Sequence, residues 1–490
     1  MTLDALALDR SAPESLQTQL YEQLRELIEA GCLKPGARLP STRQFAQDLG
    51  ISRNTVIWAY ERLSGEGYVT TGQGSRTLVA ECSPRSPVIE APPDAGMDAL
   101  DESALLDAVD QLDAPEMSSY HVGLRPFTPD VQYFPFKTWQ KLVARRFCNW
   151  GREFFGYGQL FGYDPLRQLV ADYIWANRGV RCDWRQIFIT NGAQAALDIA
   201  SRLVLKPDDT VWMEEPGYHH AHTVFVERGA NIHPLKVDFT SGWQVESPPD
   251  SAKLIYVTPS CQQPLCRTMT EQQRIDIVRI AYEKNSWIVE DDFDCEFRGS
   301  APYVPSIHSM DSREKTIYIG TFTKILFPSL RLGFFVVPHG LVPAAEKVIV
   351  SSGHFAGIPL QAALTDFIAC GAFALHLRKM RGIYAERRAD FIERANERLS
   401  EWITPQTDGS GLQIPFLLTR PFADSEIARE ANARHLNVFN LSVFYRHEKQ
   451  HGFILGYAAM NKREMVDNME LLRSVFIDHE ERKNGGIVRY

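Results

Sequence analysis

At 490 residues the chain holds roughly three folding units of about 150 residues each, so a single small domain is excluded. Hydrophobic residues at 44% against 23% charged make a globular balance, which excludes wholesale disorder, a collagen and a coiled coil. The net charge of -9 argues against a grip on nucleic acid spread over the whole chain, so a basic face has to be sought segment by segment.

From Leu16 the apolar positions Leu20, Leu24, Leu27 and Ile28 follow helical spacing and stop before Gly31. After the turn Lys34-Pro35-Gly36, Ser41 is a good N-cap for a second helix over Thr42 to Leu49, with Phe45, Ala46 and Leu49 on one face and Gly50 ending it. Ser52 caps a third helix carrying Val56, Ala59, Tyr60 and Leu63 at i, i+3, i+4 and i+7, which leaves Arg53, Asn54 and Ile57 off that face. Tyr68 to Thr71 and Ser75 to Val79, joined by Gly72-Gln73-Gly74, read as a hairpin. Three helices followed by a hairpin make a winged helix-turn-helix, predicted over residues 1–80. Residues 81–118 hold five prolines and many acids against a single Arg85, the composition of a semi-stiff, self-repelling linker with room for a short helix at Ala104 to Leu112.

From residue 119 onward short apolar runs alternate with helical stretches: Ile187 to Ile189, Val211 to Met213, Leu254 to Val257, Trp287 to Val289 and Ile317 to Ile319. That alternation predicts a mostly parallel sheet, whose ligands gather at the carboxyl ends of its strands. The large part is expected over about 150–340 and a smaller C-terminal part over about 341–490. No apolar run reaches the roughly 18 residues of a membrane span, so a cytoplasmic protein is expected. Eight cysteines without a CxxC pair suggest neither a zinc site nor a disulfide scaffold, and no metal is expected.

The third helix presents Ser52, Arg53, Asn54 and Thr55 in its first turn, where a recognition helix meets base edges in the major groove. Arg pairs bidentately with guanine and Asn with adenine, while Arg43 is placed for a phosphate or base edge and Gly74 lies at the tip of the wing. Between Lys34 and Arg62 five basic residues face two acids, so the segment is locally positive and operator double-stranded DNA is the expected partner. Winged helices also serve as protein-interaction modules, in which Arg53 is simply solvated. The stretches Gly36-Ala37-Arg38-Leu39-Pro40-Ser41-Thr42-Arg43, Leu49-Gly50-Ile51-Ser52-Arg53-Asn54-Thr55-Val56 and Leu63-Ser64-Gly65-Glu66-Gly67-Tyr68 resemble the GntR family in detail, which favours DNA.

In Gly320-Thr321-Phe322-Thr323-Lys324 a lysine follows a buried strand and two hydroxyls, and Arg331 comes seven residues later. A lysine at a strand end forms a Schiff base with an aldehyde, and hydroxyls with a guanidinium suit a phosphate. Pyridoxal phosphate carries both groups. It also calls for an acid at its ring nitrogen, and Asp291 ends a strand. Asn191-Gly192-Ala193-Gln194 lies between a strand and a helix predicted over Ala195 to Val204, where free amides cradle a phosphate, and Tyr218 can stack on the ring. Each signal alone is weak; their order and spacing together are not.

Residues 120 to about 475 resemble the fold type I aminotransferases, through these motifs and through Tyr163-Asp164-Pro165-Leu166-Arg167, Glu290 to Asp294 and Leu326-Phe327-Pro328-Ser329-Leu330-Arg331-Leu332-Gly333. Joined to a GntR-like start, the whole resembles the MocR/GabR regulators. The resemblance implies an α/β fold with a smaller C-terminal α+β subdomain, Lys324 as the internal aldimine, Asp291 at the ring nitrogen, and Ala193, Gln194, Thr321, Thr323 and Arg331 around the phosphate. It also implies a head-to-tail, domain-swapped homodimer and a small amine, amino-acid or B6-vitamer effector. Two departures fall at one cofactor oxygen. Phe293 stands where the family has Tyr, and Ser260-Cys261-Gln262-Gln263-Pro264-Leu265-Cys266 replaces a Ser-His-Gln-Phe-Pro-Thr-Gly-like run, so the amide of Gln263 is expected to replace the missing phenol. His220 and His451 stand near positions where carboxylate-binding members keep arginines, and Arg446 is a further effector candidate; the histidines fit a plain structural role equally well.

The expected function is transcription regulation by an effector sensed through pyridoxal phosphate at Lys324. A working aminotransferase with a secondary winged helix is the rival, and a cofactor-free binding protein the third reading, which the intact lysine, aspartate and arginine set disfavours.

Overall fold

The computed structural model describes residues 6–72, 76–80, 122–149, 156, 158–297 and 304–485. The expected linker, its short helix and Gly74 lie outside the described residues. The chain divides into two compact units, Met1–Asp113 and Ala114–Tyr490.

In the first unit helices α1 (Leu16–Glu29), α2 (Thr42–Asp48) and α3 (Arg53–Gly65) precede a hairpin of β1 (Val69–Gly72) and β2 (Arg76–Val79). Each helix is started by a serine, Ser15, Ser41 or Ser52, whose hydroxyl accepts the backbone N–H three residues on. Such a cap contributes about 1 kcal/mol, so three of them in a unit this small fix where the helices begin. Leu20, Leu24, Phe45, Val56, Ala59, Leu63, Val69 and Val79 form one buried core. Antiparallel pairing of Val69 with Val79 closes the wing onto it.

The second unit is built on an eight-stranded sheet of β3 (Ile187–Thr190), β4 (Thr210–Glu215), β5 (Asn231–Asp238), β6 (Gly242–Trp243), β7 (Leu254–Val257), β8 (Trp287–Asp291), β9 (Thr316–Thr321) and β10 (Gly333–Val336). Its order is β3-β10-β9-β8-β7-β4-β5-β6. Every pairing from β9 through β8, β7 and β4 to β5 is parallel, while β10 runs antiparallel to both its neighbours. All four residues of β3, β7 and β10 are buried, as befits strands covered on both faces. A separate antiparallel sheet, order β11-β12-β14-β13, follows with β11 (Ile403–Pro405), β12 (Gln413–Leu418), β13 (Phe439–Asn440) and β14 (Gly452–Gly456). Among the described residues no single helix is long and apolar enough to cross a membrane, every cysteine is free, and no cluster of three or more metal-ligating side chains occurs.

Candidate functional site

On the first unit Arg43, Ser52, Arg53 and Asn54 are exposed, and Arg53 Nε reaches back to the Thr42 hydroxyl at 3.4 Å. Thr55 corrects the expectation of a fully exposed first turn. It is 8% exposed, and its hydroxyl lies 2.9 Å from Ser52 Oγ, so it completes the cap instead of facing outward. Arg10 Nη2 donates to the carbonyl of Gly50 at 2.7 Å, bracing the turn between α2 and α3.

On the second unit three neighbouring strand ends assemble one pocket wall. In the sheet Gly333 of β10 pairs with Thr190 of β3 on one side and Thr321 of β9 on the other. The helix Ala193–Val204 begins just past β3, two residues before its predicted start, because Gly192 at φ 90° turns the chain into it without a side-chain cap. The register brings Gly192, at the start of that helix, beside Gly333 and near Arg331. A side chain on Gly192 would approach the Arg331 guanidinium carbon to 3.7 Å, and one on Gly333 would stand 2.9 Å from the Gly192 carbonyl carbon. Both glycines keep this corner open. Thr323 donates its N–H to Thr321 Oγ1 at 3.2 Å. Uncapped helix amides, the Thr321 hydroxyl and a guanidinium without a carboxylate partner among the described residues are the donor types that suit a phosphate.

Asp291 ends β8, buried, and its Oδ2 accepts the Tyr256 hydroxyl at 2.9 Å. Burial, with the charge of Asp292 adding, pushes its carboxyl up to about 7 against the pull of Tyr256. Such an acid is unmatched in the bare protein and gains most from a cationic ring nitrogen. The charges of both Asp291 and Arg331 act on the Tyr218 hydroxyl, so Tyr218 lies near both groups. Lys324 Nζ donates to the Phe127 carbonyl at 2.6 Å, and burial pulls its pKa down, opposed by Asp294. A lowered lysine pKa leaves more free amine to attack an aldehyde.

Phe293 is buried with Cys261, Cys266 and Phe127 in a small apolar cluster. Gln263 is half-buried, and its side-chain amide has no protein partner among the described residues. The amide of its neighbour Gln262 is consumed by Pro216 O and by the Leu265 N–H. His220 is exposed, its ring edge-on to Tyr218 at 5.4 Å. His451 gives its Nδ1 to buried Asp424 at 3.0 Å, the structural role that was its alternative. Arg446 lies in a neighbouring cavity whose lining does not include Lys324. Sequence reasoning missed Tyr256 and Phe127. A lone hydroxyl in the apolar strand Leu254–Val257 was a signal for the first, whereas a backbone carbonyl 197 positions from Lys324 left none for the second.

Residues 129–467 match the family of class I and II aminotransferases, and residues 16–79 match the gntR family of bacterial regulatory proteins. The chain is 40% identical over 477 residues to the probable rhizopine catabolism regulatory protein MocR of Rhizobium meliloti, covering 96% of each chain. It is 30% identical over 473 residues to the uncharacterized HTH-type transcriptional regulator YdeL of Bacillus subtilis (strain 168), covering 96% of this chain and 98% of the relative. The kynurenine aminotransferase of Pyrococcus horikoshii superposes with a TM-score of 0.67 at 24% identity, over 78% of this chain and 96% of that one, which is a likeness of fold. With residues 16–79 matching the gntR family, residues 129–467 the class I and II aminotransferases, and 40% identity to a MocR regulator over 96% of the chain, the chain belongs to the MocR-type transcriptional regulators.

Proposed function

We propose that this regulator holds pyridoxal 5'-phosphate in the second unit and senses a small amine, amino acid or B6 vitamer through it. The observation that carries the reading is that Arg331 lies by the uncapped start of Ala193–Val204, close enough for its charge to act on Lys324 and, with that of buried Asp291, on Tyr218. In that arrangement the cradle takes the phosphate, Asp291 keeps the ring nitrogen protonated, Tyr218 covers the ring and Lys324 supplies the amine for the aldehyde. Once bound, the group would offer an electrophilic carbon to amines. Gln263 donates to the ring oxygen that Phe293 leaves without a partner, and His220, beside Tyr218, is placed to meet the effector.

Arg43, Ser52, Arg53 and Asn54 form the surface offered to operator DNA. A head-to-tail homodimer in the cytoplasm would present two such surfaces, and an effector that binds two arrangements of the dimer unequally shifts their spacing. The intact Lys324 site keeps transamination as the second reading, and one pair of measurements separates the two. Purified protein is expected to show the visible absorbance of lysine-linked cofactor, and an amino donor is expected to change operator binding without a stoichiometric, multiple-turnover yield of keto acid. A colourless protein that takes up no added cofactor sinks the proposal; sustained turnover makes the chain an enzyme.

A further inference from the structure

The end of β4, the helix His219–Glu227, the start of β5 and the stretch after Phe444 enclose a second cavity of about 260 Å³. Its lining includes Glu215, His222, Pro234, Arg446 and His447, and none of Lys324, Asp291 or Arg331. Glu215 Oε1 accepts the backbone N–H of Arg446 at 2.5 Å and that of His447 at 3.1 Å, which pins this stretch against β4 and occupies the carboxylate. Glu214, the other acid in the wall, is likewise engaged, by the Thr258 N–H and hydroxyl and by Trp243 Nε1.

The Arg446 guanidinium forms no ion pair with a carboxylate among the described residues. Its Nη2 turns to His219 Nδ1 at 3.3 Å, which fixes that imidazole as an acceptor and therefore neutral. His222 is pushed down to about 4 by burial, with Arg446 and His219 adding to it. Ile232 and Pro234 of β5 bring no charge. The cavity therefore holds a guanidinium outside ion-pair range of any carboxylate among the described residues, with the charge of Glu215 acting on it and the imidazoles of His222 and His447 in the lining.

We infer that this cavity is a second ligand site, which binds a small oxyanion, carboxylate or phosphate, on Arg446 with His219, His222 and His447 around it. The volume admits a small molecule and not a polymer segment. An arriving anion supplies a countercharge beside His222, which burial keeps neutral, so binding takes up a proton there and tightens as the pH falls. Glu215 keeps its Oε1 turned to the Arg446 and His447 amides and 3.6 Å from His447 Nδ1, and burial pushes Glu214 up to about 7, so the opposition of the two acids to an anion is reduced.

The experiment titrates the full chain loaded with pyridoxal phosphate, so that the phosphate cradle is filled, with inorganic phosphate and with succinate in a calorimeter. At least one probe is expected to bind, and succinate, if it is the one, to bind about fivefold or more tighter near pH 6 than near pH 8. Arg446→Gln is expected to weaken binding about tenfold or more, and Arg446→Lys to recover part of it, with melting curves showing both variants folded. His222→Gln should flatten the pH dependence while leaving binding near pH 8. Phosphate alone binding assigns a phosphate ligand, and succinate alone a carboxylate. Silence from both probes at about 10 mM, or equal binding by folded Arg446→Gln, overturns the site.

Discussion

Removing the Arg178 guanidinium tests whether the pocket floor is held by one buried ion pair. Arg178 closes the helix Asp164–Arg178; its Nε lies 2.5 Å from Asp292 Oδ2 and its Nη2 2.7 Å from Ser260 Oγ, with Arg178 and Asp292 side chains 2% and 0% exposed. The Tyr318 hydroxyl adds a bond to the same Asp292 oxygen at 2.6 Å. Burial is the largest influence on the Asp292 carboxyl and works to raise it, but Arg178 together with the Ser260 and Tyr318 hydroxyls holds the group below its ordinary value. A depressed carboxyl contributes stability that is present above the unfolded value of about 3.9 and lost only as the pH falls through the folded value. In Arg178→Met the sign reverses: Asp292 becomes an uncompensated buried acid, raised instead of lowered, and stability falls as the pH rises from about 4. Stranding such a charge costs about 3–5 kcal/mol near neutral pH. For a unit the length of Ala114–Tyr490, about 2.1 cal/mol/K per residue gives roughly 0.8 kcal/mol per degree, so Tm drops by about 4–6 °C. Adding Asp292→Asn, which keeps an acceptor for Tyr318, should recover at least half. Melts of the three proteins near pH 7.5 and near pH 5 read both effects. An Arg178→Met protein within about 1 kcal/mol of the parent, or equally weakened at the two pH values, refutes the account.

Lys324→Ala should abolish the visible absorbance of the purified protein, and an unchanged band would place the cofactor linkage elsewhere. Gln263→Ala should weaken cofactor binding by about 1–3 kcal/mol, because an oxygen is left unpaired beside Phe293, and Phe293→Tyr in the same chain should restore it; an unchanged affinity leaves Phe293 a plain loss. Replacing Arg53 or Asn54 should cost about 1–3 kcal/mol on the operator and relax its sequence preference, whereas equal losses on random DNA reassign them to the phosphates.

What proved legible in the sequence was local or stood at a boundary. Ser41 and Ser52 announce their helices because a cap acts within three residues. Asp291 and Thr321 could be picked out because each ends an apolar run, and strand ends are where parallel sheets gather ligands. The antiparallel entry of β10 was not legible, since Gly-Phe-Phe-Val reads the same in either direction, yet that pairing is what sets Arg331 beside Gly192. Partners set by tertiary contact were equally hidden: Asp424 claims His451, His219 turns Arg446 toward its own cavity, and Thr55 spends its hydroxyl on Ser52.

Four of the nine non-glycine residues with positive φ among the described residues lie at the Lys324 pocket, while Asp208, Asn285, Glu314, His435 and Asn437 lie elsewhere. Phe127, Cys266, Asp294 and Arg331 all hold φ between 49° and 59°, the left-handed region that costs a residue with a side chain about 1–2 kcal/mol. Phe127 holds Lys324 by its carbonyl, Cys266 packs on Phe293, Asp294 opposes the burial of Lys324, and Arg331 stands over Gly192. Residues in such conformations persist where function requires them. Arg331 permits the cleanest test, because its side chain is exposed and forms no ion pair among the described residues. In Arg331→Gly the strain is relieved, partly offset by about 0.5–1 kcal/mol of extra chain entropy in the unfolded state, so the cofactor-free protein should gain about 0.5–1 kcal/mol. The same change removes a charge-assisted bond to the phosphate and should weaken cofactor binding by about 1.5–3 kcal/mol. Urea unfolding of the cofactor-free protein and an absorbance titration read the two quantities separately. A cofactor-free Arg331→Gly protein less stable than the parent would show that the guanidinium serves the fold, and a protein that binds the cofactor undiminished would remove Arg331 from the cradle.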